Sequence, residues 1–212
     1  MSAAGDAPRR LLLLRHGQTD WNAEQRIQGQ IDVPLNATGL LEAEKVAPVI
    51  AAMAPVFVRS SDLSRARVTA EKVAQAAGLV VQQDPRFREF DLGERAGTTH
   101  ADYAATAADE FAAFRSGRYD VVPGGESREQ VTTRFVAGLE EAMQALEPGG
   151  LGVVVAHGAA LKVSIAEWLG WSPEVALTLH AFGNCHWALV DDSGDPAGPA
   201  RGRRLVAFNR HT

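Results

Sequence analysis

Runs of consecutive apolar residues alternate along the chain with stretches in which apolar positions recur every three or four residues. That alternation predicts buried strands interleaved with helices, the pattern of an α/β chain with a largely parallel sheet. The first run, 11–14, is four leucines in succession, closed by Arg15. Helical periodicity follows over 38–52 with Thr38 as N-cap, and Pro48 inside it predicts a kink or an early stop. A second strand is expected at 55–58, a helix at 62–77 stopped by Gly78, and a short strand at 79–81. Residues 153–155 give the strongest buried-strand signal. Helices are expected over 127–146, with Ser127 as N-cap, and over 161–169. Residues 185–190 and 205–208 read as closing strands joined by a Gly/Pro/Asp-rich loop.

Between 93 and 125 the pattern changes. Alanine-rich helical pieces over 101–114 sit among glycine and proline loops with no strand signal, as in a helical insertion placed over a site. Phe111 and Phe114, at helical spacing, are assigned to packing ahead of substrate contact. The whole length, 1–212, is expected to be one domain with 93–125 inserted in it.

Composition narrows the classes. Hydrophobic residues at 46% and charged residues at 22% fit a folded globular chain. No apolar run approaches the ~20 residues of a spanning helix, and a net charge of −5 weighs against a dedicated nucleic-acid binder. Cys185, the only cysteine, excludes an intrachain disulfide and a CxxC metal knuckle, and points to a reducing compartment. The leucine run is shorter than the ~7–15 residues of a signal-peptide core, so the expected location is the cytoplasm.

In open α/β sheets the ligand crevice lies outside the carboxyl ends of the strands. The strand at 11–14 ends in Arg15-His16-Gly17, and that at 153–155 in Ala156-His157-Gly158; Ser60-Ser61 follows the second strand, with Arg65 one helical turn later. A single histidine is more often a satisfied core residue. Two His-Gly pairs at the rim where the chain leaves the core, expected to face solvent, fit that reading poorly. A glycine after each would leave its N–H free to approach a ligand. The arginines bring forks suited to phosphate or carboxylate oxygens. The spacing indicates an anion site.

These residues carry a resemblance. Arg15-His16-Gly17-Gln18-Thr19 with Trp21-Asn22 is similar to the RHG signature of the histidine phosphatase superfamily, in the branch that contains the cofactor-dependent phosphoglycerate mutases. The similarity continues in order through Arg26-Ile27-Gln28-Gly29, Asp32, Pro34-Leu35, Gly39, the 60–66 segment, Thr69-Ala70, Glu89, Leu92-Gly93, the 123–127 segment and Ala156-His157-Gly158. The resemblance implies a three-layer sandwich with a mostly parallel central sheet flanked by helices. It also implies a phosphomonoester hydrolase that works through a phosphohistidine, without metal or other cofactor.

By that resemblance His16 is the nucleophile, which requires a neutral imidazole. Its other ring nitrogen is expected to donate to a backbone carbonyl. Arg15, Arg65 and His157 would surround the phosphoryl group, with Asn22 and, more weakly, Thr19 and Gln18 as further phosphate contacts. Glu89 matches the family's carboxylic acid, and Phe87 and Phe90 beside it are expected to supply apolar surroundings that favour its protonated form. Arg59, Arg67 and Arg88 are assigned structural charges, His180 and His186 no metal role, and Cys185 a small core position.

The residues after Glu89 lack the longer insertion and basic-aromatic segment of the mutases, which favours a phosphatase. Arg95-Ala96-Gly97 departs from the tryptophan that phosphatase members often carry there. Segments 15–30 and 60–70 are most similar to actinobacterial members acting on glucosyl-3-phosphoglycerate or on assorted sugar and glycerate phosphates. An alanine-rich insertion with few polar handles suggests a roomy pocket of broad specificity. Mutase-type phosphoryl transfer and a catalytically weak phospho-ligand binding domain are the alternatives. The expected partner is a small phosphomonoester, with no nucleic acid or membrane, and a homodimer is left open.

Overall fold

The computed structural model describes residues 7–198 and 200–212. In chain order the elements are β1 (Arg10–Arg15), α1 (Asp20–Ala23), α2 (Ala37–Ala51), β2 (Phe57–Ser60), α3 (Ser64–Ala77), β3 (Val81–Gln83), α4 (His100–Thr106), α5 (Ala108–Arg115), α6 (Arg128–Gln144), β4 (Leu151–Ala156), α7 (Gly158–Trp168), α8 (Pro173–Thr178), β5 (Trp187–Asp191) and β6 (Arg204–Arg210). Short 3-10 turns lie at Pro85–Phe87, Gly93–Arg95 and Tyr119–Val121. The six strands form one sheet in the order β3-β2-β4-β1-β5-β6. The four strands from β3 to β1 run parallel, and β5 and β6 are added antiparallel at one edge.

The leucine run explains the layering. Successive strand residues point to opposite faces, so Leu11 and Leu13 join one apolar cluster, with Val154, Leu139 of α6 and Leu161 of α7. Leu12 and Leu14 join the other, with Val153, Val46 of α2 and Val73 of α3. A strand covered on both faces needs apolar residues at every position, which is why β1 and β4 read as continuous hydrophobic runs. The result is the expected sandwich of helices, sheet and helices.

Several boundaries differ from the periodicity. Helix α2 is capped by Asn36, whose side chain accepts the Gly39 N–H at 2.9 Å, not by Thr38. It also runs through Pro48 to Ala51 without an early stop. Pro48 and Glu44 both lie on the exposed face, so the Glu44 carbonyl that loses its helical partner faces water. Helix α3 starts two residues later than expected because Asp62 is drawn off to Arg88, while Asp32 accepts the Ser64 N–H at 2.7 Å. Gly78 ends α3 in the left-handed conformation, φ 70°. Helix α7 begins at Gly158, directly after β4, three residues before its apolar periodicity starts. The pieces over 101–114 resolve into α4 and α5, which the periodicity did not separate. Among the described residues no helix is long and apolar enough to cross a membrane.

Arg95, in the segment that departs from the tryptophan of similar family members, fastens α5 to α4. It donates to Glu110 at 2.7 Å and lies 4.8 Å above the Tyr103 ring, and the Tyr103 hydroxyl donates to the same carboxylate at 2.6 Å.

Ser127 begins α6 with a reciprocal capping box: its hydroxyl accepts the Gln130 N–H at 3.1 Å, and Gln130 accepts the Ser127 N–H at 2.7 Å. Ser127→Ala is expected to cost about 1 kcal/mol, lowering Tm by roughly 2–4 °C in a chain of this size. Thermal unfolding followed by circular dichroism checks this; an unchanged Tm contradicts it.

Candidate active site

Strands β1 and β4 pair in register from Arg10 against Leu151 to Arg15 against Ala156. The ladder continues one step further, with the His16 N–H donating to the Ala156 carbonyl at 3.0 Å. His16 and His157 therefore leave the sheet side by side, and their ring centroids are 5.2 Å apart. Arg15 comes from the same strand end and Arg65 from the first turn of α3. The two imidazoles and two guanidiniums lie at the same end of the sheet, three of the four on one cavity.

They converge at depth. His16 is 3% exposed, Arg65 1% and His157 0%. The expectation of histidines at a solvent-facing rim is corrected: the chain passes beneath other segments as it leaves the sheet. His16, Arg15, Arg65, Asn22 and Glu89 line one cavity of about 370 Å³. His157 does not line it and lies behind His16.

Hydrogen bonds fix the ring nitrogens. His16 Nδ1–H donates to the Gly17 carbonyl at 2.7 Å, as expected from the sequence, which leaves the Nε2 lone pair unengaged. Ser61 Oγ accepts the Leu63 N–H at 3.3 Å and shares a hydrogen bond of 2.9 Å with His157 Nε2. The other ring nitrogen of His157, Nδ1, is buried without a partner.

The two guanidiniums are held by neutral groups. Arg65 donates to the Gly29 and Ile31 carbonyls, each at 2.8 Å, and Arg15 to the Phe182 carbonyl. Burial lowers both arginines, Arg65 to about 10, which leaves each charged at neutral pH. Both imidazoles are pushed well below the ordinary histidine value, first by burial and next by the Arg65 charge. The floor thus combines fixed cations with neutral nitrogen bases.

The two glycines of the His-Gly pairs have different duties. The Gly17 N–H is not free for a ligand; it donates to Thr69 Oγ1 at 3.1 Å. A Cβ on Gly17 would lie 2.4 Å from the Gly39 carbonyl oxygen, so this glycine admits the start of α2. A Cβ on Gly158 would stand 3.2 Å from Arg15 Nε, so that glycine clears space for the guanidinium.

Glu89 sits apart from the apolar sleeve expected of Phe87 and Phe90, whose rings turn into the core. Its carboxylate accepts the N–H groups of Phe90, Ala159 and Ala160 at 3.0, 3.1 and 2.8 Å, the last two at the N-terminus of α7. The segment bearing it is clamped by Arg134 of α6, which donates to the Arg86, Arg88 and Glu89 carbonyls at 2.7–2.8 Å. Arg134 went unnoticed in the sequence, since nothing in helical periodicity marks a side chain that binds distant carbonyls.

Asn22 Oδ1 accepts from the Thr19 N–H and hydroxyl at 3.1 Å and from Asn184 at 3.3 Å, so its amide nitrogen is the end left for the cavity. Thr19 and Gln18 have other work. Thr19 is fully buried as the N-cap of α1, and the Gln18 side chain accepts from Asn36 at 3.1 Å; neither lines the cavity. Arg59, Arg67 and Arg88 pair with Glu141, Glu71 and Asp62, as expected of structural charges. Cys185 is buried.

The outer wall overturns the expectation of few polar handles. His100, Arg115 and Tyr119 of the 93–125 segment line the cavity, joined by Arg26 and Lys162. Phe114 lines it too while packing on Tyr103 and Tyr119, so it serves both purposes.

Buried cations and neutral imidazoles at the carboxyl ends of adjacent parallel strands define an α/β protein built to hold an oxyanion against a nitrogen base. The family model of the histidine phosphatase superfamily (branch 1) matches residues 11–197, and the chain belongs to that superfamily. A glucosyl-3-phosphoglycerate phosphatase of Mycobacterium tuberculosis is 39% identical over 203 residues, covering 89% of this chain and 87% of that protein. A probable phosphoglycerate mutase of Cronobacter sakazakii is 38% identical over 191 residues, covering 87% and 85%. The solved structure of a mycobacterial glucosyl-3-phosphoglycerate phosphatase with VO3 superposes with a TM-score of 0.86 at 36% identity, covering 95% of this chain and 98% of that one.

The depressed imidazoles make stability depend on pH. Unfolded, each histidine binds a proton near pH 6.5; folded, both refuse it until much lower pH. Stability is therefore lost as pH falls below the unfolded value. Tm should fall between about pH 7.5 and about pH 5.5, and His157→Asn should fall less steeply. Equal slopes in thermal melts of the two proteins contradict this account.

Proposed function

We propose that this histidine phosphatase hydrolyses small phosphomonoesters, of the sugar-phosphate or glycerate-phosphate kind, through a phosphohistidine on His16 Nε2. The observation that carries the reading is the free Nε2 of a neutral imidazole, held by its Nδ1–H bond at the floor of a cavity with two buried guanidiniums. Nε2 attacks phosphorus, the P–O bond to the alcohol breaks, and the leaving oxygen takes a proton from Glu89. Arg15, Arg65 and the Asn22 amide neutralise charge on the equatorial oxygens. His157 supports the nucleophile from behind, its ring centroid 5.2 Å from that of His16. Water then attacks the phosphohistidine, with Glu89 taking its proton, and orthophosphate leaves.

Thr19 and Gln18 support this arrangement from outside the cavity, by positioning Asn22 and the start of α2. We read the chain as one domain, with 93–125 as the insertion whose side chains meet the leaving group. A buried lone thiol fits the reducing cytoplasm.

Glucosyl-3-phosphoglycerate and its smaller glycerate relatives are the substrates favoured by the names of the similar proteins. Mutase-type transfer is the second reading, since a probable mutase is almost as similar. With 3-phosphoglycerate as substrate, release of orthophosphate supports the phosphatase, and accumulation of the 2-isomer supports the mutase.

His16→Ala should abolish hydrolysis of p-nitrophenyl phosphate, while the wild-type rate should survive a chelator; equal turnover of the two proteins defeats the proposal. Glu89→Gln should slow alkyl phosphates by about 10²–10⁴ but activated aryl phosphates far less, because only a poor leaving group needs the proton. Uniform loss across both classes, measured as kcat/KM, would assign the acid elsewhere.

A further inference from the structure

A second cavity of about 280 Å³ opens behind the outer wall of the first, between the end of α5, the start of α6, α7 and α8. It shares Arg115, Tyr119 and Lys162 with the main cavity and adds Arg128. Its charged lining is three cations and no carboxylate. Among the described residues none of the three makes an ion pair. Lys162 donates only to the Leu179 carbonyl, at 2.7 Å, and burial lowers its pKa. Arg128 is the least comfortable member. It stands at the first position of α6, where the helix dipole disfavours a cation, and its Nη2 is buried with no hydrogen-bond partner.

Glu174 of α8 feels the Arg128 charge without pairing with it. Three cations on one lining, one with a guanidinium nitrogen orphaned at the wrong end of a helix, are a standing cost that a bound anion would offset. Arg59, Arg67, Arg86, Arg88, Arg95 and Arg134, by contrast, all pair with carboxylates. We propose that this alcove is an anion-binding site for a carboxylate- or phosphate-sized group, separate from the floor that holds the phosphoryl group. The anion comes either from a second charged group on the substrate's leaving portion or from a free oxyanion that modulates turnover. The site stands apart from the phosphatase reading; only its use in catalysis rests on it.

Crystals soaked in tungstate test it directly. Anomalous density is expected among Arg115, Arg128 and Lys162, in addition to any at His16, and is expected to be lost in Arg128→Gln and in Lys162→Met. Density at His16 alone, or alcove density that persists in both variants, overturns the proposal.

Two matched substrate pairs then identify the source: 3-phosphoglycerate against glycerol 3-phosphate, and 6-phosphogluconate against glucose 6-phosphate. If the anion is the substrate's own, the wild type favours the carboxylate-bearing member of at least one pair roughly tenfold in kcat/KM, and Arg128→Gln brings that ratio towards one. Taking the ratio within each protein cancels any general loss of activity. If the anion is free, the ratios match in both proteins, while malonate alters kcat for p-nitrophenyl phosphate in the wild type only. Tungstate in the alcove of an active enzyme with neither kinetic effect is an adventitious ion only, and also overturns the proposal. If no monoester is turned over at all, the phosphatase reading falls. The alcove is then judged on the tungstate density and its loss in the variants.

Discussion

The in-register parallel pairing of β1 with β4 is the constraint on which the site depends. The two strands lie far apart in sequence, yet the ladder from Arg10·Leu151 to Arg15·Ala156 brings His16 and His157 out at one level. A slip of one residue would send every leucine of β1 to the opposite face and carry His16 with them. The apolar residues that fill both faces of these strands therefore do more than stabilise the sheet. They fix the relative height of two imidazoles to within the tolerance of a backbone hydrogen bond, here the 3.0 Å bond from His16 to Ala156.

Charge is distributed with equal purpose. Arginines such as Arg59 and Arg88 are matched to carboxylates, whereas Arg15 and Arg65 are gripped by main-chain carbonyls. A carbonyl orients a guanidinium without cancelling its charge, so the positive field is kept for whatever enters the cavity. Burial first, and the same field after it, hold the imidazoles neutral. The charge that attracts an anion thus also helps burial to keep the base unprotonated.

Most of the scaffold was legible because it follows from periodicity. The leucines of β1, the valines of β4 and the Ser127 cap each announce their structure in a few adjacent residues. The positions of His16, Arg15, Arg65 and His157 were legible because strand ends are where open α/β sheets keep their ligands. What escaped was long-range. The Glu89 carboxylate is surrounded by amides from α7, seventy residues downstream, and not by its neighbouring phenylalanines. Thr19 and Gln18 lie next to His16 in sequence but are used to cap and brace the loop. The cations of the outer wall were hidden for a similar reason: Arg26, Arg115 and Lys162 come from three separate segments that only the tertiary fold assembles.

The carbonyl-held guanidiniums carry a cost at the far end of the reaction cycle. Uncompensated charge does not distinguish an ester from the inorganic ion left after its cleavage, so the floor that draws a reactant in also retains what remains of it. For an enzyme of this construction, departure of orthophosphate would compete with chemistry for control of the rate. The phosphate level of its surroundings would then act as a brake that needs no dedicated regulator.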